Sequence, residues 1–174
     1  MVNGVALIEA VTPQTIAPTD LPRQLADSIT NLTELIDKRS KRHPSFKAAV
    51  TARAKGMFKL SLEAAEALAR RGVLEDESGF YWANDQKLFA PSEIKLSEAQ
   101  AQAFLNQLGR QALLIIGDKG LVANDVKHLD FVRAEPKLRY VQYDGDHHVH
   151  MTATREIIRN IAQRIQGYYL EVFD

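Results

Sequence analysis

Residues 143–151 have the sequence Tyr-Asp-Gly-Asp-His-His-Val-His-Met, and they lie between a β-type run at 138–142 and an amphipathic helix that begins near Thr152. Three of the five histidines of the chain fall within these nine residues. In an open α/β sheet, ligands and catalytic groups collect at the carboxyl ends of the strands. A histidine at such a position can take and return a proton near neutral pH. This stretch therefore predicts an α/β sheet with a chemically active loop.

The order of the predicted elements indicates a small parallel sheet that is interrupted by a mostly helical insertion. Continuous apolar runs predict buried strands at 5–8, 112–117 and 138–143. Helical spacing and capping residues predict helices at 20–39, 45–55, 61–71 and 97–108, and a β-hairpin is expected at 73–82. Further helices are expected at 123–132 and 152–168. The predicted fold class is α/β, with about three parallel strands and flanking helices.

The composition excludes several classes of function. Apolar residues make up 45% of the chain and charged residues 25%, as in ordinary globular domains. Lysine plus arginine (22) balance aspartate plus glutamate (22), so neither nucleic acid nor a membrane surface is an expected partner. There is no cysteine, which excludes thiolate nucleophiles and cysteine metal sites. Because no signal-peptide pattern and no membrane-spanning run is present, the predicted location is cytoplasmic. No cofactor is expected.

Four short motifs carry a resemblance to a known family. They are Ala6-Leu7-Ile8-Glu9, Ser61-Leu62-Glu63-Ala64-Ala65, Leu114-Ile115-Ile116-Gly117-Asp118 and Gly145-Asp146-His147-His148-Val149-His150-Met151. In these motifs and their order, the chain resembles the C-terminal portion of an α/β-hydrolase, most closely the serine hydrolase-like family. The resemblance implies a first core strand with an acid loop at 1–17, a helical cap or lid at 18–108, and a C-terminal core with the histidine loop at 109–174.

The family has a triad of nucleophile, acid and histidine in that chain order. The nucleophile stands in a G-x-S-x-G elbow on a preceding strand, and no such motif occurs here, since none of the seven serines lies in a strand-turn-helix elbow. The resemblance therefore implies that the nucleophile and the oxyanion-hole amides lie upstream of Met1. We expect the chain to be inactive by itself. Its expected partners are a small acyl substrate and either the missing N-terminal half or a second copy, through an open sheet edge.

The resemblance assigns roles to individual residues. His147 is the expected catalytic base. Glu9, at the end of the first strand, is favoured as the acid, and Asp118, after the second strand, is the alternative. In most of the superfamily the acid stands three residues beyond the strand-ending glycine, but that position is Gly120 here.

Other roles are also open to the aromatic and histidine side chains. Trp82 and Phe58 of the cap, together with His148, are candidates for substrate binding. The rival interpretations of the histidine cluster are a solvated polar turn, or a metal site in which His148 and His150 join Asp144 and Asp146. The helix predicted directly after the cluster favours a triad loop over an extended metal-binding segment.

Overall fold

A computed structural model describes residues 4–36 and 38–173 of the chain. These residues form two compact units, one of residues 4–13 with 98–173 and the other of residues 14–97. The elements are, in order, β1 (Ala6–Ile8), α1 (Leu21–Ile36), α2 (Phe46–Ala54), α3 (Leu62–Gly72), β2 (Val73–Asp76), β3 (Gly79–Trp82), α4 (Glu98–Asn106), β4 (Ala112–Gly117), α5 (Leu121–Asn124), α6 (Val126–Ala134), β5 (Leu138–Tyr143), α7 (Val149–Thr152) and α8 (Arg155–Phe173). None of the helices described combines the length and apolar character that crossing a membrane requires.

The first unit contains a three-stranded parallel sheet in the order β1-β4-β5. The central strand, β4, is buried along its whole length. Its side chains alternate between two apolar clusters, with Leu114 and Ile116 on one face and Leu113 and Ile115 on the other. Helices contribute to both clusters, for example Val132 of α6 to the first and Ile161 of α8 to the second. This two-sided burial explains why the strand is apolar without alternation.

Helix α8 also holds the beginning of β1 in place. The hydroxyl of Tyr168 accepts a hydrogen bond from the backbone N of Val5 (3.1 Å) and donates one to the carbonyl of Gln111 (2.8 Å). The side chain of Val172 packs so close to Gly4 that a Cβ at position 4 would meet it at 2.9 Å. The C-terminal helix therefore fixes the starts of two neighbouring strands.

The second unit is helical with one hairpin, as the sequence predicts. The hydroxyl groups of Ser45 and Ser61 accept hydrogen bonds from Ala48 N and Ala64 N, each at 3.1 Å, and so cap helices α2 and α3. Strands β2 and β3 pair in antiparallel fashion around a turn in which Gly79 has φ 113°. Such a φ is rarely adopted by residues other than glycine.

Several predicted helices differ from those observed. The helix expected at 123–132 is two helices, because the carboxylate of Asp125 accepts a hydrogen bond from His128 N (3.2 Å) and starts α6 afresh. The helix expected at 152–168 is also preceded by a separate turn, α7, and α8 continues to Phe173. Helix α1 ends at Ile36 rather than at Arg39. The predicted class, a small parallel sheet with flanking helices, is confirmed.

Candidate active site

The carboxyl ends of the three parallel strands lie at one edge of the sheet. Glu9 follows β1 directly, Asp118 follows β4 directly, and His147 lies in the loop after β5. Parallel pairing thus brings residues that are 138 positions apart in sequence to the same place. The site is built from loops on a buried scaffold, as is usual for open α/β sheets.

Glu9 is a buried carboxylate with defined backbone partners. Its side chain is only 1% exposed. Its Oε1 accepts a hydrogen bond from Gly117 N (2.6 Å) and its Oε2 accepts one from Leu121 N (2.8 Å). A buried charge is tolerated when hydrogen bonds of this kind satisfy it. These two amides therefore fix the position of the carboxylate.

The backbone of Glu9 is unusual. Its φ is +56°, and among the described residues other than glycine no further one has a positive φ. Its backbone N still donates to the carbonyl of Ile115 (2.9 Å), which continues the β1–β4 ladder by one residue. The left-handed conformation turns the chain immediately after that bond. Unusual backbone geometry of this kind tends to cluster at functional sites.

Two glycines leave room for this arrangement. A Cβ at Gly120 would collide with both carboxylate oxygens of Glu9. A Cβ at Gly117 would collide with the carbonyl oxygens of Gly145 and Asp146 in the histidine loop. The absence of side chains at 117 and 120 therefore allows the acid and the histidine loop to approach the end of β4.

The imidazole of His147 contacts the carboxylate of Glu9. The Nδ1 atom lies 3.4 Å from Oε2, at the long end of hydrogen-bond distance, and the side chain is 28% exposed. An ionised carboxylate only accepts hydrogen bonds, so in a hydrogen bond between these two atoms the proton is on Nδ1. In the neutral ring, the lone pair that can accept a proton is then on Nε2.

The histidine loop is ordered by its own side chains. Oδ1 of Asp146 accepts hydrogen bonds from His148 N (2.7 Å) and from the hydroxyl of Thr152 (2.7 Å), and so closes the turn that precedes α7. The side chain of Val149 is fully buried beneath this turn. Asp146 therefore acts as a turn residue with an ordinary negative φ.

The other predicted acid, Asp118, has a different contact. Its Oδ1 accepts a hydrogen bond from Gly145 N (2.9 Å), while its own backbone N donates to Tyr143 O (2.9 Å). The adjacent Lys119 and Asp144 form an exposed ion pair, and the pKa of Lys119 is raised by its hydrogen bond to Asp144. Asp118 therefore ties the β4 loop to the β5 loop. The two predicted acids are distinguished by their contacts: Glu9 faces His147, and Asp118 faces the loop backbone.

The two neighbouring histidines lie beside His147. The ring centroids of His147 and His148 are 5.0 Å apart, and those of His148 and His150 are 6.3 Å apart. Burial lowers the pKa of His150, electrostatic repulsion between the His150 and His147 rings lowers it further, and Asp146 opposes this in part. Within residues 4–36 and 38–173, no group of three or more histidine and carboxylate side chains is arranged to hold a metal ion.

The two predicted aromatic binding residues belong to the second unit. The indole N of Trp82 is 3.4 Å from the carbonyl of Ala49, and its ring packs against Gly72. Phe58 is half-buried, and its carbonyl accepts a hydrogen bond from Arg53 (3.1 Å). Their suggested role in substrate binding stays a prediction.

Sequence reasoning missed the parts of the site that have no functional side chain. The amides of Gly117 and Leu121 hold the acid, but a backbone N–H leaves no mark in a sequence. One signal was available at position 120, where this chain has a glycine and the resemblance led us to look for an acid. That glycine indicates a space, and the carboxylate of Glu9 fills it.

Comparison with solved structures identifies the architecture. The chain is similar to the hypothetical protein PA1622 from Pseudomonas aeruginosa PAO1 (TM-score 0.86, 26% identity), covering 95% of this chain and 58% of that one. It is also similar to the thioesterase domain from the curacin biosynthetic pathway (TM-score 0.72, 17% identity) and to E-2-(acetamidomethylene)succinate hydrolase (TM-score 0.63, 16% identity), with the same two coverages. No protein-family model matches the sequence, and no curated protein matches it significantly.

The chain thus spans somewhat more than half the length of these similar structures. The two named hydrolytic proteins are too distant in sequence to pass on an activity, but they have the same arrangement of core strands and helices over nearly all of this chain. The chain has a partial α/β-hydrolase fold.

Proposed function

We propose that this chain supplies the acid and the general base of a serine-type α/β-hydrolase that cleaves a small ester or a similar acyl compound. Glu9 is the acid and His147 is the base. The nucleophile and the oxyanion-hole amides come from outside these 174 residues, because the sequence contains no G-x-S-x-G motif. A cytoplasmic location and the absence of a cofactor belong to the same proposal.

The observation that carries this proposal is the contact between His147 Nδ1 and Glu9 Oε2. A carboxylate at Nδ1 holds the ring in one orientation and in the tautomer with a basic Nε2. It also stabilises the imidazolium ion that forms during the reaction. The buried, doubly hydrogen-bonded carboxylate of Glu9 suits that task because it is rigid.

The proposed chemistry is acyl transfer in two steps. In the first step, Nε2 of His147 takes the proton of a serine hydroxyl while the serine oxygen bonds to the substrate carbonyl carbon. The imidazolium then protonates the leaving alcohol, and the bond between the carbonyl carbon and the leaving oxygen breaks. In the second step, His147 takes a proton from water while the water oxygen bonds to the carbonyl carbon of the acyl-serine. The bond between that carbon and the serine oxygen then breaks, the imidazolium returns its proton to the serine oxygen, and a carboxylic acid is released.

The test compares the chain alone with the chain joined to, or expressed with, the polypeptide that is encoded directly upstream. The chain alone should neither hydrolyse p-nitrophenyl acetate nor react with a fluorophosphonate probe. The combined protein should do both. In the combined protein, Glu9→Gln should lower kcat by as much as ~10⁴-fold, because loss of a triad acid has effects of that size.

Matched variants make the test specific. Glu66→Gln changes an exposed glutamate that pairs with Arg70, and it should leave kcat unchanged. Ester turnover by the chain alone that His147→Ala abolishes would contradict the missing nucleophile. Full activity of the combined protein after His147→Ala would contradict the assigned base.

A second candidate function is a non-catalytic, hydrolase-derived interaction domain. The observation that favours it is the edge position of β1, since no further strand among the described residues pairs with it. An unpaired strand edge is a template for pairing with another chain. Under this alternative, the combined protein is inactive even when its upstream part contains an intact G-x-S-x-G motif.

A further inference from the structure

We propose that Gly120 is a positioning residue that determines which residue supplies the acid. The amides of Gly117 and Leu121, together with the space left by the missing side chain at 120, form what we term the carboxylate seat. This inference rests on the proposed function, because it concerns the partner of the catalytic histidine. It adds that the seat, rather than the strand, selects the acid.

The Glu9 carboxylate and a side chain at position 120 compete for the same volume. A Cβ at 120 would overlap both oxygens and the carboxyl carbon of Glu9. Gly120 is itself buried, and the backbone fixes the direction of a Cβ. An alanine methyl group at 120 therefore cannot avoid the carboxylate by moving into solvent. Any side chain at 120 therefore displaces the Glu9 carboxylate from the seat.

Both amides of the carboxylate seat donate to Glu9. Gly117 N and Leu121 N each donate to Glu9, one to each carboxylate oxygen. The same Oε2 that accepts from Leu121 N contacts His147 Nδ1. A carboxylate in the seat is therefore aligned with the histidine as a consequence of being held there.

A carboxylate can reach the carboxylate seat from position 9 or from position 120. The carboxylate oxygens of an aspartate lie two bonds from its Cβ, and the carboxylate of Glu9 lies within that reach of a Cβ at 120. An aspartate introduced at 120 can thus place an oxygen near the present position of Oε2. Removing the Glu9 side chain empties the seat for it, and a glycine suits the φ of +56° at position 9.

The experiment measures the tautomer of His147 in the full chain from the ¹⁵N shifts of its two ring nitrogens. Four variants are compared with the parent chain: Gly120→Ala, Glu9→Gln, the double variant Glu9→Gly with Gly120→Asp, and Gly109→Ala as the control. A Cβ at Gly109 meets nothing within 4 Å, so that variant tests the cost of a glycine-to-alanine change alone. Amide exchange at Leu121 is followed in parallel.

The parent chain and Gly109→Ala should show the Nδ1–H tautomer. Gly120→Ala should give a mixture of tautomers and about tenfold faster exchange of Leu121 N–H, the loss expected for one hydrogen bond. The double variant should restore the Nδ1–H tautomer. If Gly120 had only a structural role, an aspartate at 120, in the loop after β4, would not restore the tautomer of His147.

The possible failures are distinguishable. An unchanged tautomer in Glu9→Gln would overturn the proposed acid–base pair and this inference with it. A changed tautomer in Glu9→Gln, combined with an unchanged one in folded Gly120→Ala, would overturn the inference about Gly120 only. If Gly120→Ala does not fold, the double variant decides, because it removes the collision: restoration supports the seat, and a mixture of tautomers refutes it.

Discussion

Glu9 combines a left-handed backbone with a buried charge, and each of these features has a cost. Residues other than glycine lose roughly 1–2 kcal/mol in the left-handed region. Burial of an ionised carboxylate costs more unless its oxygens accept hydrogen bonds. The amides of Gly117 and Leu121 and the ring of His147 offset the second cost. The hydrogen bonds to Glu9 therefore mainly offset the costs of placing a carboxylate at this point.

Glu9→Gln should destabilise the chain by about 1–3 kcal/mol, because the new amide group can accept from only one of the two backbone N–H groups and presents a donor to the other. Urea unfolding at neutral pH measures the free energy of unfolding. The matched change Glu66→Gln, in an exposed i,i+4 pair, should cost less than about 0.5 kcal/mol. Equal losses for the two variants would show that the seat does not bind a charged group.

His150 should make the chain less stable in mild acid. Burial, and next electrostatic repulsion from His147, lower the pKa of His150 below its ordinary value of 6.5 in the folded state. The unfolded chain then binds more protons, so stability falls as the pH drops through about 6.5 and below. His150→Gln should reduce the fall in unfolding free energy between about pH 7 and about pH 5. Parallel stability curves for parent and variant would contradict this.

At the scale of elements, helix α8 determines where β1 begins. Tyr168→Phe removes the group that joins Val5 N to Gln111 O, and it should cost about 1–3 kcal/mol because two backbone groups lose a partner. Hydrogen exchange should accelerate at Val5 in particular. Tyr140→Phe, on a more exposed tyrosine of β5, is the control and should have little effect. If both variants exchange alike at Val5, the hydroxyl of Tyr168 does not anchor the strand.

The caps of the helical unit give a second prediction for elements. Ser61 Oγ accepts from Ala64 N at the start of α3, so Ser61→Ala should cost about 1 kcal/mol. Ser78→Ala, in the turn of the β2–β3 hairpin, changes the same residue type outside a helix and is the comparison. Thermal unfolding of the two variants measures the difference. A smaller loss at Ser61 than at Ser78 would count against the cap.

The elements differ in how far their sequences determine them. The unbroken apolar run of β4 predicts burial on both faces, and the structure confirms it because helices cover both. Strand β1 has a similar apolar run, yet it is only three residues long and partly exposed, since β4 is its one partner strand among the residues that the structure describes. The break at Asp125 follows from a cap residue within an apolar pattern, and helical periodicity does not reveal such a break.

The sequence likewise determines the candidate site only in part. The resemblance nominates both Glu9 and Asp118 as residues at strand ends, and it favours Glu9 only because the position where most of the superfamily has its acid is Gly120 here. The physical difference between the two is a contact across 138 positions and the empty volume at Gly120. Both depend on the register of the sheet, in which Ile8 pairs with Ile115 and Gly117 with Tyr143. The catalytic roles of Glu9 and His147 stay predictions. The contact between their side chains is observed in the structure.

In the sheet unit as a whole, strand β1 forms an edge with outward-facing backbone N–H and C=O groups. Val5 O and Glu9 N bond to β4, so in a parallel ladder the backbone groups of Ala6 and Ile8 point to the opposite side. Among the described residues no strand meets them. Whatever pairs there, whether the remainder of a hydrolase or a second copy, must use these groups.

A proline in β1 tests whether the isolated chain pairs with a second copy through this edge. If two copies pair through β1, light scattering after size exclusion should show a dimer whose fraction rises with concentration. Ala6→Pro should then abolish the dimer, because it removes an outward N–H without touching the bonds to β4. Ala6→Gly keeps that N–H and should remain dimeric. A parent chain that is monomeric at every concentration would rule out self-pairing and leave an upstream hydrolase segment as the partner to test.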